Sequence, residues 1–179
     1  MPVVQIGVEE VCLFYIRNNI EYFLREDLSI NNKCIESLFI EVKKESIGKS
    51  QDAIVAVIYR PPDTNIRTFN EYLSSILLKT KAEKKLLYFM GDFNINLLNT
   101  DSHHATQEFA DIMYSHAIIP NITKPMRVTK KSATLIDNIF CNSLFTTQKI
   151  LSGILFTDLS DHFPVFMLTI HLIQNRKKM

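Results

Sequence analysis

The stretch Leu86-Leu87-Tyr88-Phe89-Met90-Gly91-Asp92-Phe93-Asn94 joins an apolar run to an acid and an amide at its end. A short apolar run with such flanks is typical of a buried strand. Proteins of the α/β type bind their ligands at the carboxyl ends of strands. Residues 91–94 are therefore a candidate functional site, although Gly-Asp and Asn-x-Asn are also typical of a plain turn.

The sequence before this strand predicts further regular structure. Short runs rich in β-branched and aromatic residues predict strands at 11–16, 35–42 and 53–59, and Pro61-Pro62 ends the last of them. An amphipathic helix follows, with Thr68-x-x-Glu71 in the form of a capping box. Its apolar residues recur at intervals of three and four: Phe69, Tyr72, Leu73, Ile76 and Leu77.

After the 86–90 strand, the apolar spacing of Phe109, Ile112 and Met113 predicts a second helix that ends before Pro120. Runs at 134–141, 150–156 and 163–172 predict three more strands joined by polar loops. The order strand, helix, strand indicates a crossover unit. A length of 179 residues with 46% hydrophobic content predicts one globular domain, residues 1–179.

Charge and cysteine content restrict the class of protein. A formal net charge of +1 gives no global attraction to nucleic acid, although lysines cluster locally. The three cysteines, an odd number without a Cys-x-x-Cys pattern, favour free, reduced, buried thiols and an intracellular protein. Neither a secretion signal nor an apolar run of membrane-spanning length is present in the sequence, so we expect no membrane association.

Two further polar clusters accompany the first. Asp137 lies within an apolar run, and burying an unpaired carboxylate is costly, so it needs a partner. His162, in Ser160-Asp161-His162, is the candidate, because a carboxylate orients a histidine and raises its basicity. The alternative is a structural histidine at the start of a strand. Three clusters at strand ends suggest one convergent site.

Asp92, Asn94 and Tyr59 suit phosphate chemistry. Carboxylate and amide oxygens are ligands that Mg²⁺ accepts while it keeps several waters. On a regular strand Asp92 and Asn94 face the same side. Tyr59 can donate its hydroxyl to a phosphate oxygen, but an aromatic strand residue is often simply core.

Together these motifs resemble the endonuclease/exonuclease/phosphatase superfamily, and in particular the endonuclease domains of non-LTR retrotransposons. The resemblance reaches from about residue 11 to residue 170. The motifs that carry it are Tyr59-Arg60-Pro61-Pro62, Gly91-Asp92-Phe93-Asn94, residues 132–139 around Asp137-Asn138, and Ser160-Asp161-His162-Phe163-Pro164.

The resemblance implies an α+β fold of the DNase I type, a four-layer α/β/β/α sandwich. It also implies hydrolysis of phosphodiester bonds in DNA with Mg²⁺, or with Mn²⁺ in its place. The partners implied are DNA and a reverse transcriptase region in a longer polypeptide, and work on DNA would follow in the nucleus.

The resemblance also implies residue roles. Asp92 would hold metal and position the attacking water, and Asp161 would help to hold metal. His162 would act as general base or phosphate ligand, oriented by Asp137. The remaining residues, Tyr59, Asn94 and Asn138, would contact the substrate.

One departure from the superfamily pattern concerns the start of the chain. Relatives have a first strand with an asparagine and a second strand that ends in a metal-binding glutamate, and neither is found before residue 11. We therefore expect the first strands of the fold to be missing and catalysis to be weakened. Glu36 resembles a residue of the relatives but belongs to a later strand. Two alternatives stay open: a non-catalytic nucleic-acid-binding or interaction protein, and a phosphatase or phosphodiesterase acting on a small or lipid phosphate.

Overall fold

The computed structural model describes residues 2–8, 12–128, 132–142, 149–157, 160 and 162–170. Asp161 lies outside the described residues, as does the end of the last predicted strand. The helices are α1 (Lys44–Ile47), α2 (Ile66–Lys81) and α3 (His104–Ser115), with a short 3-10 turn at Leu97–Asn99. The strands are β1 (Val3–Val8), β2 (Cys12–Arg17), β3 (Tyr22–Leu24), β4 (Asn31–Asn32), β5 (Ile35–Val42), β6 (Ala53–Tyr59), β7 (Leu86–Asp92), β8 (Ile119–Pro120), β9 (Arg127–Val128), β10 (Ala133–Thr134), β11 (Asp137–Cys141), β12 (Lys149–Ile154) and β13 (Val165–Ile170).

A seven-stranded sheet lies at the centre, with the order β3-β5-β6-β7-β11-β8 and with β4 also paired to β5. The pair β6 and β7 is parallel, and the other pairs of this sheet are antiparallel. Parallel neighbours need a crossover connection, which α2 supplies. The predicted strand-helix-strand unit is therefore confirmed, and β7 extends two residues beyond its predicted end, to Asp92.

Both long helices pack on one face of this central sheet. Their apolar stripes meet the sheet in a core whose centre is aromatic: Phe69 of α2, Phe109 of α3, Phe93 and Phe140. Phe93 and Phe140 make an edge-to-face contact with ring centroids 5.1 Å apart. Burial of this apolar surface is the main force that holds the helices on the sheet.

The start of α2 differs from its prediction. The helix begins at Ile66, and the Asn65 side chain accepts a hydrogen bond from the backbone N–H of Arg67 at 2.8 Å. The capping box predicted at Thr68 is wrong, because an equally strong cap lies three residues upstream. In the same way α3 begins at His104, ahead of the apolar spacing that predicts it.

Two antiparallel hairpins, β1-β2 and β12-β13, cover the other face of the central sheet. The first packs Cys12, Phe14 and Ile16 against β5 and β6, and the second packs around Tyr88 and Cys141. The predicted α+β sandwich is confirmed, with helices, central sheet and hairpins in successive layers. Strand β1 was not among the predicted elements.

The three cysteines are free thiols, as their odd number and spacing predict. Cys12 and Cys141 are buried and Cys34 is partly exposed. Among the described residues, no helix is both long enough and apolar enough to cross a membrane.

A charged cluster stabilises the end of the central sheet where β7 begins. Arg25 donates two hydrogen bonds to the Glu83 carboxylate, at 2.9 and 2.6 Å, and Lys85 donates a third at 2.7 Å. The Arg25 bonds are the main reason that the pKa of Glu83 lies below its ordinary value. Lys85 also bonds to Glu41 on β5, so the cluster joins two strands and the end of α2.

The substitution Glu83→Gln is expected to lower the free energy of unfolding by about 1–3 kcal/mol at neutral pH, because charge-assisted hydrogen bonds are lost. A lowered carboxyl pKa contributes stability above the ordinary value of 4.5, and this contribution disappears as the pH falls through the lowered pKa. Thermal melts of parent and variant should therefore differ at neutral pH and converge in acid. Glu45→Gln, at a side chain that is 70% exposed, is the matched control. An equal difference at both pH values would contradict the assignment.

Candidate active site

Four polar residues lie in one row across β5, β6, β7 and β11. Glu36 is paired with Tyr59, and Asp92 is paired with Asp137. The parallel register of β6 and β7, followed two residues further, brings Tyr59 level with Asp92. Residues in such a row share one face of the sheet, here the face covered by the hairpins, against which Tyr59 also packs.

His162 joins this row through Asp137. Its Nδ1 lies 2.9 Å from Oδ2 of Asp137, and both side chains are partly buried. Burial is the main cause that raises the pKa of Asp137 to about 6, with the Asp92 charge adding to it and the His162 bond opposing it. Asp137 is thus mostly ionised at neutral pH and accepts a hydrogen bond from Nδ1–H. In the neutral form of the ring with the proton on Nδ1, the other nitrogen, Nε2, carries a lone pair.

Asp92 completes a group with metal-ligating character. One donor atom each from Asp92, Asp137 and His162 lies within 4.8 Å of the others. The pKa of Asp92 is raised above its ordinary value, mainly by burial, although the hydrogen bond from the Asn94 backbone N–H and the charges of His162 and Arg60 oppose this shift. Two half-buried carboxylates this close repel each other, and a cation between them would remove that cost.

Glu36 provides a further carboxylate at the row. Its Oε2 is buried and makes no hydrogen bond within the described part of the chain. A buried carboxylate oxygen without a partner is costly unless a cation or a bound water satisfies it. The carboxylate oxygens of Asp92 and Asp137 lie close together, and Glu36 adds an unpartnered one in the same row; such hard oxygen atoms are the ligands that a divalent cation such as Mg²⁺ takes.

The turn after β7 serves both as a turn and as part of the site. The Asn94 backbone N–H donates to Oδ1 of Asp92 at 2.9 Å, and Asn94 itself has φ of 47°. The expectation that the two side chains share a strand face is wrong, because the strand ends at Asp92. The Asn94 amide Nδ2 donates instead to the Arg60 carbonyl at 2.8 Å.

Arg60 holds this turn in place through hydrogen bonds to its backbone. Arg60 is not among the site residues predicted from the sequence. The side chain is only 3% exposed, and its guanidinium donates to the carbonyl oxygens of Phe93, Asn94 and Thr64 at 2.8, 2.6 and 2.6 Å. Its backbone N–H donates to the Asp92 carbonyl at 3.0 Å. A buried arginine needs such acceptors. The feature of the sequence that could have indicated a structural role for Arg60 is its place in the motif Tyr59-Arg60-Pro61-Pro62.

Asn138 has a different environment from the substrate contact that the resemblance implies. It follows Asp137 on β11, so its side chain points to the opposite face of the strand. The residue is 1% exposed, its Nδ2 donates to the Ile122 carbonyl and its Oδ1 accepts from the Ile122 N–H. With these atoms engaged, Asn138 fastens the loop after β8 and is not available to a substrate in this conformation.

Known proteins resemble the chain in both sequence and fold. The sequence profile of the family described as endonuclease-reverse transcriptase matches residues 53–166. The endonuclease domain of TRAS1, a telomere-specific non-LTR retrotransposon, superposes with a TM-score of 0.65 at 15% identity, over 89% of this chain and 71% of that one. No curated protein sequence matches the chain.

Two further structures share the fold. An AP endonuclease from Archaeoglobus fulgidus gives a TM-score of 0.54 at 14% identity, over 73% of this chain and 64% of that one. The 3′ phosphatase NExo from Neisseria, bound to a product DNA hairpin, gives 0.55 at 12% identity, over 92% and 77%. At these identities the likeness establishes the fold that the chain shares with these three proteins. The chain spans less than two thirds of the AP endonuclease.

Proposed function

The chain belongs to the endonuclease-reverse transcriptase family, and we propose that it hydrolyses phosphodiester bonds in DNA with the help of Mg²⁺. The observation that carries the proposal is the hydrogen bond of 2.9 Å between His162 and Asp137, beside the Asp92 carboxylate. Phosphoryl transfer needs positioned groups and charge neutralisation more than covalent catalysis; His162 and Asp137 supply the first, and the carboxylates would hold the cation that supplies the second.

In this proposal His162 is the general base. The Nδ1–H bond to Asp137 fixes the orientation of the ring and leaves Nε2 to accept a proton from the attacking water. Asp137 stabilises the imidazolium that forms and keeps its own negative charge. Because the ring is only partly buried, water and a phosphate group have access to it.

Asp92 and Glu36 are the described residues that we propose to hold the cation, with Asp161 as a further ligand from the sequence. A bound Mg²⁺ would polarise the phosphate and offset the negative charge that develops on its oxygens. Mn²⁺, which accepts the same oxygen ligands, is expected to substitute for it. Tyr59 and Asn94, at the ends of the neighbouring strands, are the proposed contacts to the phosphate oxygens.

Two wider assignments follow from the family. Its description pairs an endonuclease with a reverse transcriptase, so we propose that a reverse transcriptase region in a longer polypeptide is the partner of this chain. With DNA as the substrate, we further propose that the protein works in the nucleus.

The proposal is tested by nicking of supercoiled plasmid DNA. We expect relaxed circles to appear with Mg²⁺ or Mn²⁺ and not with EDTA, and Asp92→Asn to lose the activity. Asp111→Asn, an exposed carboxylate on α3, is the matched control and should nick like the parent. If neither metal supports nicking while the protein still binds DNA in a salt-sensitive way, the non-catalytic binding function is the correct one.

A further inference from the structure

An exposed aromatic ring, Phe156, packs against the partly buried ring of Phe163, the residue that follows His162 in the chain. Phe156 is 80% exposed, and its ring meets that of Phe163 with centroids 5.2 Å apart and planes at 72°. Single exposed apolar residues are common on proteins, but an aromatic ring held by a second ring at the surface is preorganised for contact. With one side occupied by the edge contact, a face of Phe156 stays open.

The position of the pair is fixed relative to the site by the backbone. Phe163 follows His162 in the chain, and its N–H donates to the Met126 carbonyl at 3.3 Å. On the other side, the N–H of Leu155 donates to the Pro164 carbonyl at 2.8 Å. Phe156 is therefore held across from the residues that carry His162 into the site.

A cavity of about 240 Å³ adjoins the pair. Phe156 forms one wall, and Asn121, Ile122, Thr123 and Lys124 line the other side. The loop that lines the cavity is held against β12, because the Ser152 hydroxyl donates a hydrogen bond to the Asn121 carbonyl at 2.7 Å. The same loop is fastened to β11 through Asn138, the residue after Asp137.

We propose that this cavity, with Phe156 and Lys124, is a subsite for an unpaired nucleobase in a single-stranded stretch of DNA next to the bond that is cut. Every nucleobase has a π face that stacks on an aromatic ring, and Lys124, exposed at the rim, offers its charge to the adjoining phosphate. A protein ligand in this cavity would not require the positive charge of Lys124 next to the candidate active site. The inference rests on the proposed function, since DNA must lie across His162 for this subsite to be used.

The test is binding of a short fluorescein-labelled single-stranded oligonucleotide, followed by fluorescence anisotropy in EDTA, so that no cleavage occurs. Phe156→Ala is expected to raise the Kd by about 5- to 150-fold, the usual effect of removing one stacking ring. Phe156→Tyr, which keeps the ring, should bind like the parent, and Phe156→Leu should bind like the alanine variant. Tyr114→Ala removes an aromatic ring that is 53% exposed on α3 and is the matched control.

An abasic oligonucleotide of equal length separates stacking from phosphate binding. Phe156→Ala should bind it as the parent does, whereas Lys124→Gln should weaken binding to both oligonucleotides alike. The proposal is overturned if the parent does not bind the normal oligonucleotide, or if Phe156→Ala leaves its Kd unchanged. If the protein binds the oligonucleotide in a way that depends on Phe156 but does not nick plasmid, the subsite proposal stands and the nuclease proposal fails. If it nicks plasmid but its binding does not depend on Phe156, the nuclease proposal stands and the subsite proposal fails.

Discussion

Alanine at position 162 is expected to lower the rate of plasmid nicking by roughly 10²- to 10⁴-fold, the contribution typical of a positioned general base. Because removal of the imidazole leaves the partly buried Asp137 carboxylate without this partner, the variant is expected to melt below the parent, and its rate is therefore measured well below its melting temperature. The measurement is the initial rate of nicking at saturating Mg²⁺ and neutral pH. His104→Ala, whose imidazole is 71% exposed and pairs with Glu108 on α3, is the control that should retain full activity.

Asp137→Asn distinguishes a catalytic pair from two independent residues. An asparagine at 137 can offer Nδ2 to the ring and so hold His162 in the wrong tautomer, with Nε2 protonated. The variant that combines Asp137→Asn with His162→Ala should then nick plasmid no more slowly than His162→Ala alone, because the two residues act as one unit. Losses that multiply would show that Asp137 and His162 contribute separately, and full activity of His162→Ala would end the general-base assignment.

Much of the site follows from arguments about single residues. Asp137 in an apolar run needs a partner, and the partner inferred from that need, His162, is the one that bonds to it. The boundaries of β6, and the presence of the crossover helix α2 though not its start, follow from the local spacing of apolar residues over seven and sixteen residues. Such features depend on short segments of chain, so a sequence alone can predict them.

Other features depend on contacts between distant segments, and the sequence pattern is silent about those. The Arg60 side chain reaches backbone carbonyls more than thirty positions away, and such acceptors leave no residue-type signal. The resemblance implies a substrate contact for Asn138, yet here the loop at Ile122 engages its amide. The turn at Asn94 was one of two open alternatives, and the fold uses it as a turn while keeping it beside the site.

The contacts of Arg60 and Asn94 depend on the close approach of β6 and β7, and Gly91 makes that approach possible. Its φ is 144°, a conformation that residues with a side chain rarely adopt. A Cβ at this position would lie 1.9 Å from the carbonyl oxygen of Ile58, a backbone atom in the neighbouring strand. To relieve this clash, β6 and β7 would have to move apart next to Asp92, a residue of the candidate active site.

Gly91→Ala is therefore expected to lower the free energy of unfolding by roughly 3 kcal/mol or more, since backbone strain and a clash with main chain add together. Urea denaturation of parent and variant measures the loss. Gly48→Ala is the matched control: Gly48 has φ of 62° but lies exposed at the end of α1, so it should cost only about 1 kcal/mol. Because Gly91 adjoins Asp92, the variant should also nick plasmid more slowly below its melting temperature. Equal stability losses in the two variants would mean that β6 and β7 yield easily, and that Gly91 serves only its own backbone conformation.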